Sequence, residues 1–262
     1  MKITLLTSNK NRHNYLVNLL SQISEEVFVI QESKNIVSNL KMNQNTKSMI
    51  MEEYFEKVNK AEQTFFGNSI INNKKANIKV LEIQYGDLNK YDLNFLSNFL
   101  KSDYYIVFGS SFIKGKLVEF LIKNRAINIH MGISPYYRGT DCNFWALYDN
   151  NPHLVGATIH MLSKGLDNGS IIYHAMSNIK NNPFEYTMST VKAAFHSIIQ
   201  KIQDRSILKI KTLIQNKDKE IRYSRQSEFN EDILKEYLRK NINLNSKKVD
   251  HSLLKEPFFL NN

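Results

Sequence analysis

A chain of 262 residues with 42% hydrophobic and 11% aromatic residues has enough apolar material for a sizeable core, and its composition is not that of a disordered protein. A single cysteine, Cys142, excludes an internal disulfide and any cysteine-based metal cluster, and no apolar run approaches the roughly 18 to 20 residues that a membrane-spanning helix needs. The formal net charge of +10 suits an anionic partner, yet Lys57 and Lys60 alternate with Glu52, Glu53, Glu56 and Glu62, the pattern of a solvated helix face; a phosphate-bearing small substrate is expected, and neither nucleic acid nor membrane.

The opening Met1 to Thr7 is apolar for too few residues to be a signal peptide and runs into the polar Ser8 to His13, so it reads as a first strand of a cytoplasmic protein. Further strands are expected at Glu26 to Ile30, Ile78 to Ile83, Tyr104 to Phe108 and Ala126 to His130. Helical patterns lie between them. Tyr15, Leu16, Leu19, Leu20 and Ile23 recur at the spacing of one buried helix face, as do Leu117, Phe120 and Leu121. Thr46 to Phe66 reads as a longer charged helix, either a covering helix or a lid or partner surface. Strands alternating with helices predict an α/β fold with a Rossmann-like open, mostly parallel sheet.

After His130 the texture changes: Gly132, Pro135, Gly139, Pro152 and Gly156 cluster in what reads as an ordered loop region. Two more β-runs, Ala157 to Leu162 and Ile171 to Ala175, are expected to pair antiparallel. A long helix follows from about Thr187, burying Val191, Phe195, Ile198 and Ile202. The charge-rich tail, with a final helix at Glu231 to Arg239 started by Asn230, reads as a small C-terminal appendage, giving a division at 1–203 and 204–262.

Asn128-Ile129-His130 closes an expected parallel strand, and alternation puts the Asn and His side chains on one face at the carboxyl end, where open α/β sheets bind ligands. Ser134-Pro135-Tyr136-Tyr137-Arg138-Gly139 follows directly, and Gly165-Leu166-Asp167-Asn168-Gly169 comes after the next β-run, with Asp167 37 positions beyond His130. Taken alone, Asp167 reads equally well as a turn former in Asp-Asn-Gly. His153 and His160 with Asp167 match no metal-ligand spacing, so no metal is expected. Cys142 lies in an aromatic stretch and reads as core or pocket wall, not as a nucleophile.

On these motifs, Val107 to His174 resembles the catalytic core of the folate-dependent formyltransferases, which act on glycinamide ribonucleotide, methionyl-tRNA or nucleotide-linked amino sugars. The resemblance implies that Asn128 donates its amide to the formyl oxygen, that His130 takes a proton from the attacking amine or helps hold the oxygen, and that Asp167 orients His130 and relays protons. It implies N10-formyltetrahydrofolate as co-substrate, held by Gly109, Ser110, Ser111, Phe112 and Ile113 and by Ser163, Lys164, Gly165 and Leu166. Ser8, Asn9 and Lys10 are a candidate phosphate site at a helix start; Met131, Gly132, Tyr136, Tyr137, Arg138 and Gly139 are candidate substrate contacts.

The Met-Gly-Ile-Ser-Pro-Tyr-Tyr-Arg-Gly variant followed by Cys-Asn-Phe-Trp-Ala-Leu is similar to the bacterial sugar N-formyltransferases of O-antigen and lipopolysaccharide synthesis. That implies a nucleotide-linked 4-amino-4,6-dideoxyhexose as acceptor, dTDP-linked first and GDP-linked next, and a homodimer. Phe144 and Trp145, with Tyr136 and Tyr137, read as sugar or base walls or equally as core. The alternatives are a methionyl-tRNA or glycinamide ribonucleotide formyltransferase, or a formyltetrahydrofolate hydrolase.

Overall fold

A computed structural model describes residues 1–33, 48–72 and 75–260. Four parallel βα steps and a fifth strand build its first half: β1 (Lys2–Ser8), α1 (Asn11–Ile23), β2 (Glu26–Ser33), α2 (Met49–Phe66), β3 (Ile78–Gln84), α3 (Leu93–Leu96), β4 (Tyr104–Phe108), α4 (Gly115–Lys123) and β5 (Ile127–His130). Then come β6 (Tyr137–Gly139), α5 (Cys142–Tyr148), β7 (Ala157–Met161), β8 (Ile171–Ser177), α6 (Pro183–Gln203), β9 (Arg222–Ser224), α7 (Glu231–Arg239) and β10 (Phe258–Leu260). The central sheet has the order β10-β8-β7-β5-β4-β1-β2-β3 and is parallel except where β7 runs against β5 and β8. The expected fold is the one observed.

Burial on both faces explains the uninterrupted Val, Ile and Phe runs. One face carries α1, α2 and α6, burying Leu16, Leu20, Phe66, Phe195 and Ile198; the other packs Leu117, Val118 and Leu121 of α4 under Ile30, Tyr105 and Val107. Strand order reverses between β1 and β4, which register Thr7 against Phe108, so the chain leaves both strands at the same level. That switch point places Ser8 to Lys10 beside Gly109 to Ile113.

The observed α2 begins after Ser48, whose Oγ accepts the Met51 N–H at 3.2 Å; Thr46 and Lys47 of the expected helix lie outside the described residues. α6 starts four residues before Thr187, because the Asn182 side chain caps Phe184 and Glu185 and Pro183 supplies the first helical turn. The tail holds two strands that its charge concealed. β9 pairs in parallel with β6, a strand inside the expected loop region, and β10 extends the sheet beside β8. Leu234 and Tyr237 of α7 join Tyr54, Phe144, Trp145 and Tyr186 in an aromatic cluster, so Phe144 and Trp145 are core.

Candidate active site

β5 presents Asn128 and His130 to one face while Ile127 and Ile129 enter the core on the other. Asp167 reaches them from the loop between β7 and β8. Its φ of 47° lies in the left-handed region, a conformation that costs a non-glycine residue about 1–3 kcal/mol unless its surroundings fix it. They do: a Cβ on Gly169 would stand 1.7 Å from the Met161 carbonyl oxygen, so only glycine lets the loop close on β7. Arg138 donates to the Leu166 carbonyl at 3.2 Å, and the Gln215 amide donates to the carbonyls of Asp167 and Gly169 at 2.8 and 2.7 Å.

The three side chains meet. His130 Nδ1 lies 3.2 Å from Asp167 Oδ2, and Asn128 Nδ2 lies 3.3 Å from Asp167 Oδ1. A fourth group joins them: His160, paired with Asn128 across the antiparallel β5–β7 register, has Nε2 2.9 Å from Asn128 Nδ2 and 3.6 Å from Asp167 Oδ1. Its Nδ1 faces the Met161 carbonyl at 2.9 Å and must donate there, so Nε2 carries a lone pair and Asn128 turns its NH2 toward the carboxylate and the imidazole.

His130 Nε2 faces the Tyr137 carbonyl at 3.3 Å. Both ring nitrogens therefore look at acceptors, and only the imidazolium satisfies both. Burial lowers the His130 pKa below its ordinary value, opposed by the Asp167 charge that favours protonation. Burial alone would raise the Asp167 carboxyl, but His130, His160 and Arg138 bring it below the usual value. At neutral pH the pair is thus carboxylate and neutral imidazole, arranged to take up one proton. Gly132 lies beneath this pair, since a Cβ there would meet His130 Nε2 at 2.7 Å.

These groups line a cleft of about 900 Å3, at the upper end of ligand pockets. Asn128, His130 and Asp167 are on its wall with Gly109, Ser110, Ser111, Phe112, Ile113, Ser163, Gly165 and Leu166, and with Ser8, Asn9, Lys10, Met131 and Gly139. Lys164 is not: it points outward and pairs with Glu119 at 2.8 Å. Gly132, Tyr136, Tyr137 and Arg138 are also off the wall. Tyr136 donates to the Leu253 carbonyl, Tyr137 bonds Asp149 and Asn151, and Arg138 is enclosed by Glu220 and the Tyr223 ring. The short β6–β9 pairing turns this segment into the interior, which adjacency in sequence could not reveal.

The cleft includes groups the sequence did not single out. Glu32 at the end of β2 accepts from the Ser111 N–H and hydroxyl at 2.5 and 2.7 Å and from the Gly86 N–H at 2.9 Å. His13 packs on Gly109 and bonds Ser8 Oγ at 2.6 Å, and Arg12 lines the same end while paired with Glu62. Thr140 and Asp141 sit near Lys10, and burial raises the Asp141 carboxyl while the Thr140 hydroxyl and then Lys10 pull it down. His160 had a legible sign in the alternation that puts it on one face with Thr158. Cys142 is buried and burial pushes its thiol far up, so it is no nucleophile. His153 does not line the cleft, and among the described residues no group of three or more His, Cys, Asp or Glu is arranged to hold a metal.

A carboxylate, a neutral imidazole and an amide thus meet at the carboxyl edge of an open α/β sheet, on the wall of a ligand-sized cleft. Residues 1–207 match the formyl transferase model, and the chain belongs to that family. Its fold is similar to that of a 4-N formyltransferase from Francisella tularensis, with 21% identity over 87% of this chain and 77% of that one and a TM-score of 0.52. The formyltransferase PseJ from Anoxybacillus kamchatkensis, solved with UDP-4,6-dideoxy-4-formamido-L-AltNAc and tetrahydrofolate, is 22% identical over 87% of each chain, with a TM-score of 0.50. Phosphoribosylglycinamide formyltransferase from Anaplasma phagocytophilum is 18% identical over 86% of this chain and 94% of that one, also with a TM-score of 0.50.

Proposed function

We propose that the protein transfers the formyl group of N10-formyltetrahydrofolate to the 4-amine of a nucleoside-diphosphate-linked 4-amino-4,6-dideoxyhexose, dTDP-linked first and GDP-linked next. The observation that carries the reading is the meeting of Asn128, His130 and Asp167 on the wall of one cleft that also holds two chemically different sets of groups. One set, Gly109 to Ile113 with Ser163, Gly165 and Leu166, offers backbone groups and apolar side chains to a flat heterocycle. The other, Ser8, Asn9, Lys10 and Arg12 with Thr140 and Asp141, offers hydroxyls, two cations and a carboxylate to a charged, hydroxyl-bearing acceptor. The Anoxybacillus protein, which holds a formylated nucleotide sugar together with tetrahydrofolate, adds support. On the same reading the enzyme is a cytoplasmic homodimer serving O-antigen synthesis, with residues 1–203 as catalytic domain.

Formyl transfer makes a C–N bond to the acceptor and breaks one to the folate, and the acceptor nitrogen must lose a proton while the folate nitrogen gains one. His130 and Asp167 take up that proton between them, the imidazolium being satisfied on both sides. The Asn128 NH2 exchanges its longer bond to Asp167 for the formyl oxygen.

The test is incubation of the purified chain with N10-formyltetrahydrofolate and a panel of dTDP-, GDP- and UDP-linked 4-amino sugars, with glycinamide ribonucleotide alongside. A mass gain of one formyl in place of a hydrogen on a sugar is expected. Formylation of glycinamide ribonucleotide alone, or formate release without any acceptor product, overturns it.

A further inference from the structure

The loop that carries Asp167 is gripped by residues beyond the 1–207 stretch that defines the family. After α6 the chain returns across β8, where Ile171 and Leu213 exchange both backbone hydrogen bonds at 2.8 Å. Two residues later the Gln215 side chain uses both amide hydrogens on the carbonyls of Asp167 and Gly169. Its Oε1 is buried with no hydrogen-bond partner, so the side chain is oriented by this donation and by nothing on its acceptor side. A second grip comes from the same segment: Glu220 holds Arg138 Nη1 at 2.8 Å, and Arg138 Nη2 donates to the Leu166 carbonyl at 3.2 Å. Both grips converge on residues 166–169, where Asp167 carries a positive φ.

We propose that Gln215 is a positioning residue for Asp167: by bridging the two carbonyls that flank the turn it fixes the backbone from which the carboxylate meets His130. The segment after α6 is thereby part of the catalytic machinery. The inference rests on the reading of His130 and Asp167 as the proton-transfer pair, and its physical content is separable from that reading. A carboxylate on an unbridged turn would swing away from the imidazole, and displacement of a reacting group by about 1 Å costs on the order of 100-fold in rate.

The test uses Gln215→Met, which keeps length and apolar bulk without donors, and Gln215→Glu, which keeps shape and replaces the donor by acceptors. In both, kcat for formyl transfer is expected to fall by about 10- to 100-fold with KM for folate and acceptor within about twofold of the parent. The second readout needs no acceptor: NMR titration of the His130 ring. The groups that bear on it are Asp167 and the Tyr137 carbonyl, which favour its protonation, and His160 and Arg138, which oppose it. Loss of the Asp167 contact moves the His130 midpoint down. A parent-like kcat, an unmoved His130 midpoint, or loss of folding in both variants overturns the proposal. A parent that formylates no amine, together with a lowered His130 midpoint in the variants, sinks the functional reading and leaves the positioning role standing.

Discussion

His130 Nδ1 stands 3.2 Å from Asp167 Oδ2 while Nε2 of the same ring stands 3.3 Å from the Tyr137 carbonyl, so a neutral imidazole leaves one of two facing acceptors without a hydrogen. Burial holds the ring neutral and these acceptors invite a proton, which is the balance a general base needs. His130→Ala and Asp167→Asn should each lower kcat by about 100- to 10,000-fold, the range of lost acid–base catalysis, with unfolding midpoints near that of the parent. The pH dependence follows in sign. The base must be neutral, so activity is lost on acidification through a midpoint below 6.5, and Asp167→Asn, lacking the opposing charge, shifts the residual acid limb lower still. Wild-type-like rates in either variant would rule the pair out as the proton carrier.

His160 acts one step away. It takes one hydrogen of the Asn128 amide at 2.9 Å and leaves the other, at 3.3 Å from Asp167, as the one more easily redirected. Asn128→Ala is expected to cost about 100- to 1,000-fold in kcat, as removal of an oxyanion donor does. His160→Leu removes the acceptor that orients this amide and leaves Asn128, His130 and Asp167 in place, so a smaller loss of roughly tenfold is expected, in line with one neutral hydrogen bond. Steady-state kcat for both variants checks the order; a His160→Leu loss equal to that of His130→Ala would make His160 a direct participant.

Glu32 ties the end of β2 to the loop after β4. Three donors converge on its buried carboxylate, two from Ser111 and one from Gly86, and so it sets the shape of the Gly109 to Ile113 wall. Glu32→Gln exchanges a doubly accepting group for one whose NH2 must face a donor. With hydrogen bonds to charged groups contributing about 1.5–3 kcal/mol, the folate KM should rise about tenfold or more while the acceptor KM is unchanged. Equal changes in both would show the effect to be global.

The strands and the pair Asn128 and His130 were legible because their signals are local: apolar runs buried on both faces, and alternation along one strand. Asp167 was ambiguous from the turn and gained its meaning only from the motif around it. Alternation put His160 on one face with Thr158, but that the face meets Asn128 follows only from the β5–β7 register, and Gln215 was out of reach because it meets the site through a bridge to β8 that sequence does not display. The same long-range pairing, β6 with β9, took Tyr136, Tyr137 and Arg138 off the cleft wall despite their place beside Gly139.

His174 is where stability should respond to pH. The ring is buried on β8, donates from Nε2 to the Ser134 carbonyl at 2.9 Å, and accepts the Lys255 N–H on Nδ1 at 2.8 Å. Burial, opposed by the Ser134 carbonyl, lowers its pKa to about 4 from 6.5. Between those values the unfolded chain binds a proton that the folded chain refuses, so stability is full above pH 6.5 and falls as pH drops toward 4, by up to about 3 kcal/mol from this group. His13 and His130, also lowered by burial, act in the same sense. His174→Gln keeps one donor and one acceptor and removes the titration, so its unfolding free energy should fall less steeply than the parent's over this range. Protonation of Nδ1 also expels the Lys255 N–H, which leads into β10, so the Phe258 to Leu260 amides should lose hydrogen-exchange protection in the parent before the rest of the sheet does. Parallel pH curves for parent and variant would show that the acid sensitivity arises elsewhere.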